Sequence, residues 1–166
     1  MTKRLIALAV AMMTLFLACP ALAATPDYTT TADFLAAMDE ADIKYTFVGT
    51  DSDKDELVTV ENTTDEYGDV TFRFYFSEDQ DDVSMRVWNV IDFEEADRVK
   101  VLEACNQANY DYRFVTFYVD DNDNSVTLSY DAYLPARASG DICVSVLQTA
   151  HSILKLVYPT LAEFAR

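Results

Sequence analysis

The sequence predicts an α+β protein with a mostly antiparallel sheet. Six short runs rich in β-branched and aromatic residues are joined largely by polar, acidic segments, as the strands of hairpins are. Three longer segments carry apolar residues at helical spacing. The chain has only three Gly and four Pro, and 51% of its residues are hydrophobic, which is the composition of a packed domain. The expected element order is α-β-β-β-β-α-β-β-α.

The first half of the chain is expected to form one helix and four strands. The helix is expected over Asp33 to Ala41, after the capping candidates Thr29 to Thr31. The strands are expected at Tyr45 to Val48, Leu57 to Val60, Val70 to Phe76 and Val83 to Val90. In the third strand, apolar and more polar residues alternate, which indicates one buried and one partly wet face. Trp88, at the end of the fourth strand, is expected in the core.

The second half is expected to form a helix, two strands and a long helix. The helix from about Glu94 to Ala108 begins with acidic residues, which suit the helix dipole. The strands Tyr112 to Val119 and Val126 to Tyr133 follow it. The last helix begins near Gly140 and continues to about Val157, ahead of a proline.

Residues 1–23 have the pattern of a cleaved signal peptide. Lys3 and Arg4 precede an apolar run, and the Ala-Leu-Ala stretch that ends at Ala23 is a pattern that signal peptidase reads. The apolar run is too short for a retained transmembrane anchor. A lipoprotein acylated at Cys19 is the alternative, although the residues before it match the usual motif poorly. Cleavage after Ala23 predicts a periplasmic or secreted single domain, residues 24–166, without stable membrane insertion.

Acidic residues dominate the charge of the chain. There are 29 Asp and Glu residues against 12 Lys and Arg, and loss of Lys3 and Arg4 with the signal peptide changes the net charge from −17 to −19. Such a surface repels nucleic acid and anionic lipid head groups, so neither is an expected partner. The charge suits a soluble exported protein, and binding of a specific cationic partner is the alternative interpretation.

The stretch "YVDDNDNSVTLSYD" at 118–131 resembles a calcium loop only in part. Its first Asp and Asn residues have the right spacing, but Ser125 and Asp131 stand where a calcium loop needs Gly and a bidentate Glu. The flanking residues alternate as strands do, and Asn and Asp favour turns. The stretch therefore predicts a hairpin turn, and the acidic segment 51–56 is interpreted in the same way.

The sequence favours a protein without catalysis. His151 is the only histidine, and no Ser or Cys is placed by a local motif to be activated by it. No carboxylate is singled out by an apolar setting, and no glycine-rich phosphate loop or cluster of zinc ligands occurs. No cofactor is expected.

A family resemblance agrees with this interpretation. Within the stretch 104–161, the residues "ACNQANYDYRFVTFYVDDNDNSVTLSYDAYLP" comprise a helix ending in Asn106 and Asn109, an aromatic strand, an acidic turn and a second strand. This pattern resembles the YbjN family of bacterial proteins, and the element order agrees over nearly all of residues 24–166. The resemblance implies a fold similar to type III secretion chaperones, which commonly dimerise, and a regulatory or binding role without a reaction.

An aromatic sheet face is the candidate binding surface. Alternation in the fifth strand directs one set of residues toward the helices and the other set to the opposite face. The predicted members of that face are Tyr75, Tyr112, Phe114, Tyr118 and Tyr133. Such a face suits a protein, a peptide or a second copy of the chain, and the alternative is that long side chains or a terminal segment cover it.

The predicted function is recognition of an unidentified protein or peptide, through the sheet or through the groove beside the second helix. A homodimer through the aromatic face is the expected assembly. The alternative function is that of an envelope protein that binds a small molecule or a cation through its acidic loops.

Two cysteines, Cys105 and Cys143, remain after removal of the signal peptide, and both fall on apolar helix faces. In an oxidising periplasm such a pair is usually joined, which predicts a disulfide if the two helices pack as neighbours. Two buried free thiols are the alternative.

Overall fold

Six strands form one antiparallel sheet, and three helices lie on one side of it. The structure is a computed structural model that describes residues 25–135 and 138–166. The predicted signal peptide and its cleavage site after Ala23 lie outside the described residues. None of the described helices combines the length and the apolar character that crossing a bilayer requires.

The elements follow the predicted order. The helices are α1 (Thr29–Glu40), α2 (Arg98–Asp111) and α3 (Ser139–Leu161). The strands are β1 (Thr46–Thr50), β2 (Glu56–Thr64), β3 (Gly68–Phe76), β4 (Asp82–Asp92), β5 (Thr116–Asp120) and β6 (Ser125–Tyr133). Neighbouring strands are antiparallel throughout, in the order β1-β2-β3-β4-β6-β5. The predicted α+β class and element order are thus confirmed.

The hydrophobic core fills the space between the sheet and the helices. Phe72, Phe74 and Phe76 of β3 point toward the helices and are fully buried. Phe34 of α1 packs on two of these rings, with its centroid 4.7 Å from that of Phe74 and 5.6 Å from that of Phe76. Each buried ring of this size contributes about 1.5–3 kcal/mol, so the aromatic contacts of β3 are a main source of stability.

The helices α1 and α3 pack closely where both begin. Gly140 of α3 lies directly against the backbone of Asp33, and a Cβ atom at position 140 would collide with it. Ser139 Oγ also donates a hydrogen bond to Asp33 Oδ2 at 2.8 Å. The close approach and the hydrogen bond fix the position of α3 relative to α1.

The first turn of α1 is held by side chains from the sheet. The buried carboxylate of Glu56 accepts the backbone N–H groups of Asp27 at 2.5 Å and Tyr28 at 3.3 Å. Gln80 Oε1 accepts the N–H group of Thr29 at 2.8 Å. These acceptors satisfy donors that the start of a helix leaves free, so α1 begins four residues earlier than predicted.

Among the other element boundaries that differ from the prediction, three involve a change in backbone conformation or a proline. The segment Glu95–Asp97 is a 3₁₀ turn, so α2 itself begins at Arg98. The helix α3 continues through Pro159, which lies near its C-terminal end and removes only one backbone donor. The strand β5 begins at Thr116, because Phe114 has a left-handed backbone conformation with φ of 77° that interrupts the extended chain.

Candidate partner-binding face

One face of the sheet carries none of the described helices, and we call it the outer face. Strand pairing shows which side chains share it, because directly opposite residues on antiparallel strands point the same way. Tyr75, for example, lies between Leu57 and Ser84, and Tyr118 lies opposite Thr127. The outer face includes Leu57, Thr59, Glu61, Thr71, Arg73, Tyr75, Ser84, Arg86, Trp88, Thr116, Tyr118, Thr127, Ser129, Asp131 and Tyr133.

Three of the five predicted binding residues share the outer face. Tyr75 and Tyr118 are half-buried, and Tyr133 is 72% exposed. Thr127 is fully buried although it points outward, so the side chains around it exclude water from that part of the face. The outer face is therefore a partly dry, aromatic surface on a rigid sheet.

Tyr112 and Phe114 lie elsewhere, which corrects the predicted grouping. Tyr112 follows the last residue of α2 and packs against the core. Phe114 stacks on Tyr130 with the ring centroids 6.3 Å apart and the planes inclined by 14°. Tyr130 lies opposite Met85, a core residue, and so belongs to the side of the helices. The positive φ of Phe114 breaks the alternation from which its side was predicted.

Trp88 belongs to the outer face, so the prediction of a core residue was wrong. Its side chain is 39% exposed, and it directly follows Val87, which is fully buried. The pairing of β4 with β6 has a bulge between Val87 and Ile91, beside which the strand changes course. The alternation of apolar residues along β4 predicts the outward position of Trp88, since it directs every second residue away from the core.

Two arginines lie in the middle of the outer face. Arg73 of β3 is directly opposite Arg86 of β4. Arg86 Nη1 bonds to Asp131 Oδ1 at 2.6 Å, and the same oxygen accepts a hydrogen bond from Ser84 Oγ at 2.8 Å. Neither arginine is identifiable from the sequence, because the pairing register that makes them neighbours is not visible in composition or local motifs.

The connection from β5 to β6 is a hairpin turn, as predicted. Asp120 and Asp123 each accept a backbone N–H from two residues further along, at 2.9 and 3.1 Å. The carboxylate of Asp121 pairs with Arg98 at the start of α2. The carboxylates of this turn therefore hold the chain itself. In residues 25–135 and 138–166, no group of three potential metal ligands comes together.

The connection from β1 to β2 is also a turn held by its own carboxylates. Asp51 Oδ1 accepts the backbone N–H groups of Asp53 at 2.9 Å and Asp55 at 3.0 Å. Burial raises the pKa of Asp55, and the neighbouring carboxylates, among them Asp51 and Asp53, raise it further. The crowding of negative charge in this turn is thus unfavourable for the ionised form of Asp55.

His151 is enclosed by the core on the side of the helices. Its ring lies edge-on to Tyr67 and Phe72, with centroids 5.9 and 6.5 Å away. A cavity of about 260 Å³ adjoins it, but Nε2 is closed to solvent and has no hydrogen-bond partner among the described residues. Nε2 is therefore not available to a molecule in that cavity, although the half-buried ring itself is part of the cavity wall.

Cys105 and Cys143 are buried free thiols, so the predicted disulfide is not formed. Cys143 lies in the first turns of α3, which pack on α1, whereas Cys105 lies on α2, which packs mainly on the edge strand β5. Burial raises the pKa of Cys105 to about 11 and that of Cys143 to about 12. Thiols with such pKa values are poor nucleophiles at neutral pH.

These features define an α+β protein whose sheet is covered by helices on one face and carries none of the described helices on the other. The family model YbjN, described as "Putative bacterial sensory transduction regulator", matches residues 31–163. The chain therefore belongs to the YbjN family, and the resemblance noted in the sequence is confirmed. The family description supports a regulatory role without catalysis.

A solved structure has a similar fold. The crystal structure of YbjN, "a putative transcription regulator from E. coli", aligns with a TM-score of 0.56 and 8% sequence identity, over 77% of this chain and 87% of that chain. At this identity the likeness concerns the fold alone. The comparison with curated proteins finds no match.

Proposed function

We propose that this protein is an exported binding protein without catalytic activity, which recognises a protein or peptide partner through its outer face. The observation that carries the proposal is the side of the sheet on which residues 25–135 and 138–166 place no helix. The helices bury the other side, while Tyr75, Trp88 and Tyr118 remain at least partly accessible on a rigid surface. Aromatic side chains in such a position are enriched in protein interfaces, where they bury large areas at small entropic cost.

The charge of the chain restricts the class of partner. A net charge of −17, or −19 without Lys3 and Arg4, opposes the approach of a polyanion such as DNA. The proposal therefore differs from the transcriptional role in the description of the E. coli protein. A protein or peptide carries its charges sparsely and can place apolar groups on the aromatic side chains.

The state of the nucleophilic groups supports a role without catalysis. Burial keeps the thiols of Cys105 and Cys143 protonated at neutral pH. Nε2 of His151 is buried, and no hydrogen bond joins the imidazole to a carboxylate or a nucleophile among the described residues. Neither group is therefore suited to the transfer of an acyl group or a proton.

Export is proposed from the N-terminal segment of the sequence. Mass spectrometry of the protein from a periplasmic fraction is expected to give a chain that begins at Ala24. A chain that retains residues 1–23, or one that carries a lipid on Cys19, would contradict the proposed cleavage and leave the outer face to be tested separately.

Site-specific photocrosslinking tests the use of the outer face. A photoreactive amino acid is placed at Tyr118 or at Tyr133, and as a control at Tyr110, which is 85% exposed but lies on α2. Crosslinking in intact cells is expected to give the same partner from both outer-face positions and not from Tyr110. Equal capture from Tyr110, or no capture from the outer face, would refute the proposal.

A further inference from the structure

Arg73 is a cation on the outer face without a counterion among the described residues. Its Nη1 donates to the carbonyl oxygen of Thr71 at 3.4 Å, whereas the carboxylate of Asp131 is taken up by Arg86. A guanidinium group has five N–H donors. Most donors of Arg73 are therefore available to a group from outside the chain.

The position of Arg73 adds an electrostatic reason to bind an anion. Arg73 and Arg86 are directly opposite on neighbouring antiparallel strands, an arrangement in which like charges repel. Asp131 compensates Arg86 alone. Glu61 lies diagonal to Arg73 on the same face but is not within ion-pair distance of it, so among the described residues the guanidinium of Arg73 remains unpaired on a protein whose net charge is strongly negative. A negative group placed on Arg73 would relieve this repulsion.

The shape of the site favours a carboxylate beside apolar groups. The planar guanidinium fork matches the two oxygens of a carboxylate and binds both at once. Tyr75 follows Arg73 by two residues on β3, and Trp88 follows Arg86 by two residues on β4, so the Cα atom of each aromatic residue lies about 7 Å from that of an arginine on the same face. A segment that brings a carboxylate to Arg73 therefore also brings its neighbouring side chains to these rings.

We propose that Arg73 binds an Asp or Glu side chain in an extended segment of the partner protein, with apolar residues of that segment lying on Tyr75 and Trp88. This inference rests on the proposed function of the outer face. β3 lies inside the sheet, with two strands on one side and three on the other. A partner segment that reaches Arg73 therefore crosses the face of the sheet, which favours a carboxylate on an internal side chain over one at a chain end. A single carboxylate is compatible with the negative net charge, since at physiological salt screening limits long-range repulsion to about 8 Å.

A displayed library of randomised nonapeptides, inserted internally so that no free carboxyl terminus is present, tests the inference. The immobilised protein, as purified from the periplasm, is the bait, in three forms: the unchanged protein, Arg73→Gln, and Arg113→Gln. Arg113 is an exposed arginine before β5, outside the outer face, so its replacement changes the net charge equally. The melting temperature of each variant shows whether it is folded, and Arg73→Gln is expected to be at least as stable as the parent.

The unchanged protein and Arg113→Gln are expected to enrich peptides with one Asp or Glu beside apolar residues. Synthetic peptides from this pool should bind about tenfold more tightly than their Gln counterparts, and Arg73→Gln should remove the difference. Trp88 is the only tryptophan of the chain, so a change in its emission on titration places the peptide on the outer face.

Four outcomes would overturn the inference in distinguishable ways. Enriched peptides without an acidic residue would refute the role of the carboxylate and leave peptide binding intact, whereas no enrichment would refute the proposed function as well. Tighter binding of a peptide whose sole carboxylate is its C-terminus would show that Arg73 binds a chain end. A homodimer that Arg73→Gln converts to a monomer would show that a second copy supplies the carboxylate.

Discussion

Cys105 and Cys143 show how burial determines the chemistry of single residues. Both thiols lie in the core, where the charged thiolate loses the stabilisation that water would give it. The sequence identified their apolar surroundings, but not the distance between the helices that carry them. That distance depends on the packing of α3 on α1 and of α2 on β5, which are contacts between distant parts of the chain.

We expect both thiols to be unreactive in the folded protein. A thiol reagent at pH 8 should label neither Cys105 nor Cys143 within the time in which it labels both residues in denaturant, because burial raises the pKa of each thiol. Mass spectrometry after the two treatments gives the count per chain. Loss of both free thiols in the denatured, unreduced sample would instead show a disulfide.

The same thiols predict an alkaline limit to stability. In the unfolded chain they ionise near the ordinary value of 9, whereas in the folded chain their pKa values are about 11 and 12. Between these values the unfolded state binds fewer protons, so the free energy of unfolding falls as pH rises. Urea unfolding between pH 8 and 11 is expected to show this fall, with a smaller slope in the variant Cys105→Ala, Cys143→Ala.

The contact between α2 and β5 is an example at the scale of elements. Asn109 Nδ2 donates to the carbonyl oxygen of Phe117 at 2.9 Å, and Asn109 Oδ1 accepts the N–H of Phe117 at 2.8 Å. The side chain of Asn109 thus satisfies the N–H group and the carbonyl oxygen of Phe117, both of which point away from β6. The contact joins α2 to the sheet and occupies the middle of an exposed edge.

Replacing Asn109 tests this contact. Asn109→Ala is expected to lower the free energy of unfolding by about 2 kcal/mol, because two hydrogen bonds are lost at a half-buried site. Asn106→Ala, at an exposed position of the same helix, is the matched control and should change it by less than about 0.5 kcal/mol. Equal effects of the two substitutions in urea unfolding would show that the contact contributes nothing specific.

The elements also show which parts of the fold can be predicted from local sequence. Periodicity identified all three helices and six strands, because each element buries one face and its apolar residues repeat accordingly. The start of β5 and the side of Phe114 were not predicted, since a positive φ at a phenylalanine is imposed by tertiary contacts such as the stacking on Tyr130. Three tyrosines of the outer face were predicted, whereas the pair of Arg73 and Arg86 required the strand register.

At the scale of the whole molecule, the acidic excess acts as a general repulsion. Raising sodium chloride from 10 to 150 mM is expected to increase the melting temperature by about 3 °C, because screening relieves about 1 kcal/mol of repulsion between carboxylates. Choline chloride should act equally if the effect is screening. Calcium at matched ionic strength should add no saturable step tighter than about millimolar, and a micromolar step removed by Asp120→Ala would contradict this expectation.

The occupied edge of β5 also limits how copies of the chain could associate. Growth of a filament through a sheet requires two compatible free edges on every subunit, so that each copy pairs with one before it and one after it. Among the described strands, β5 is blocked at Phe117, and β1 is five residues long with an irregularity between Phe47 and Gly49. If the free edge of β1 paired with the same edge of a second copy, both free edges would be used and the assembly would stop at two copies. The fold therefore permits a closed pair and disfavours continuous polymerisation through the edges of the sheet.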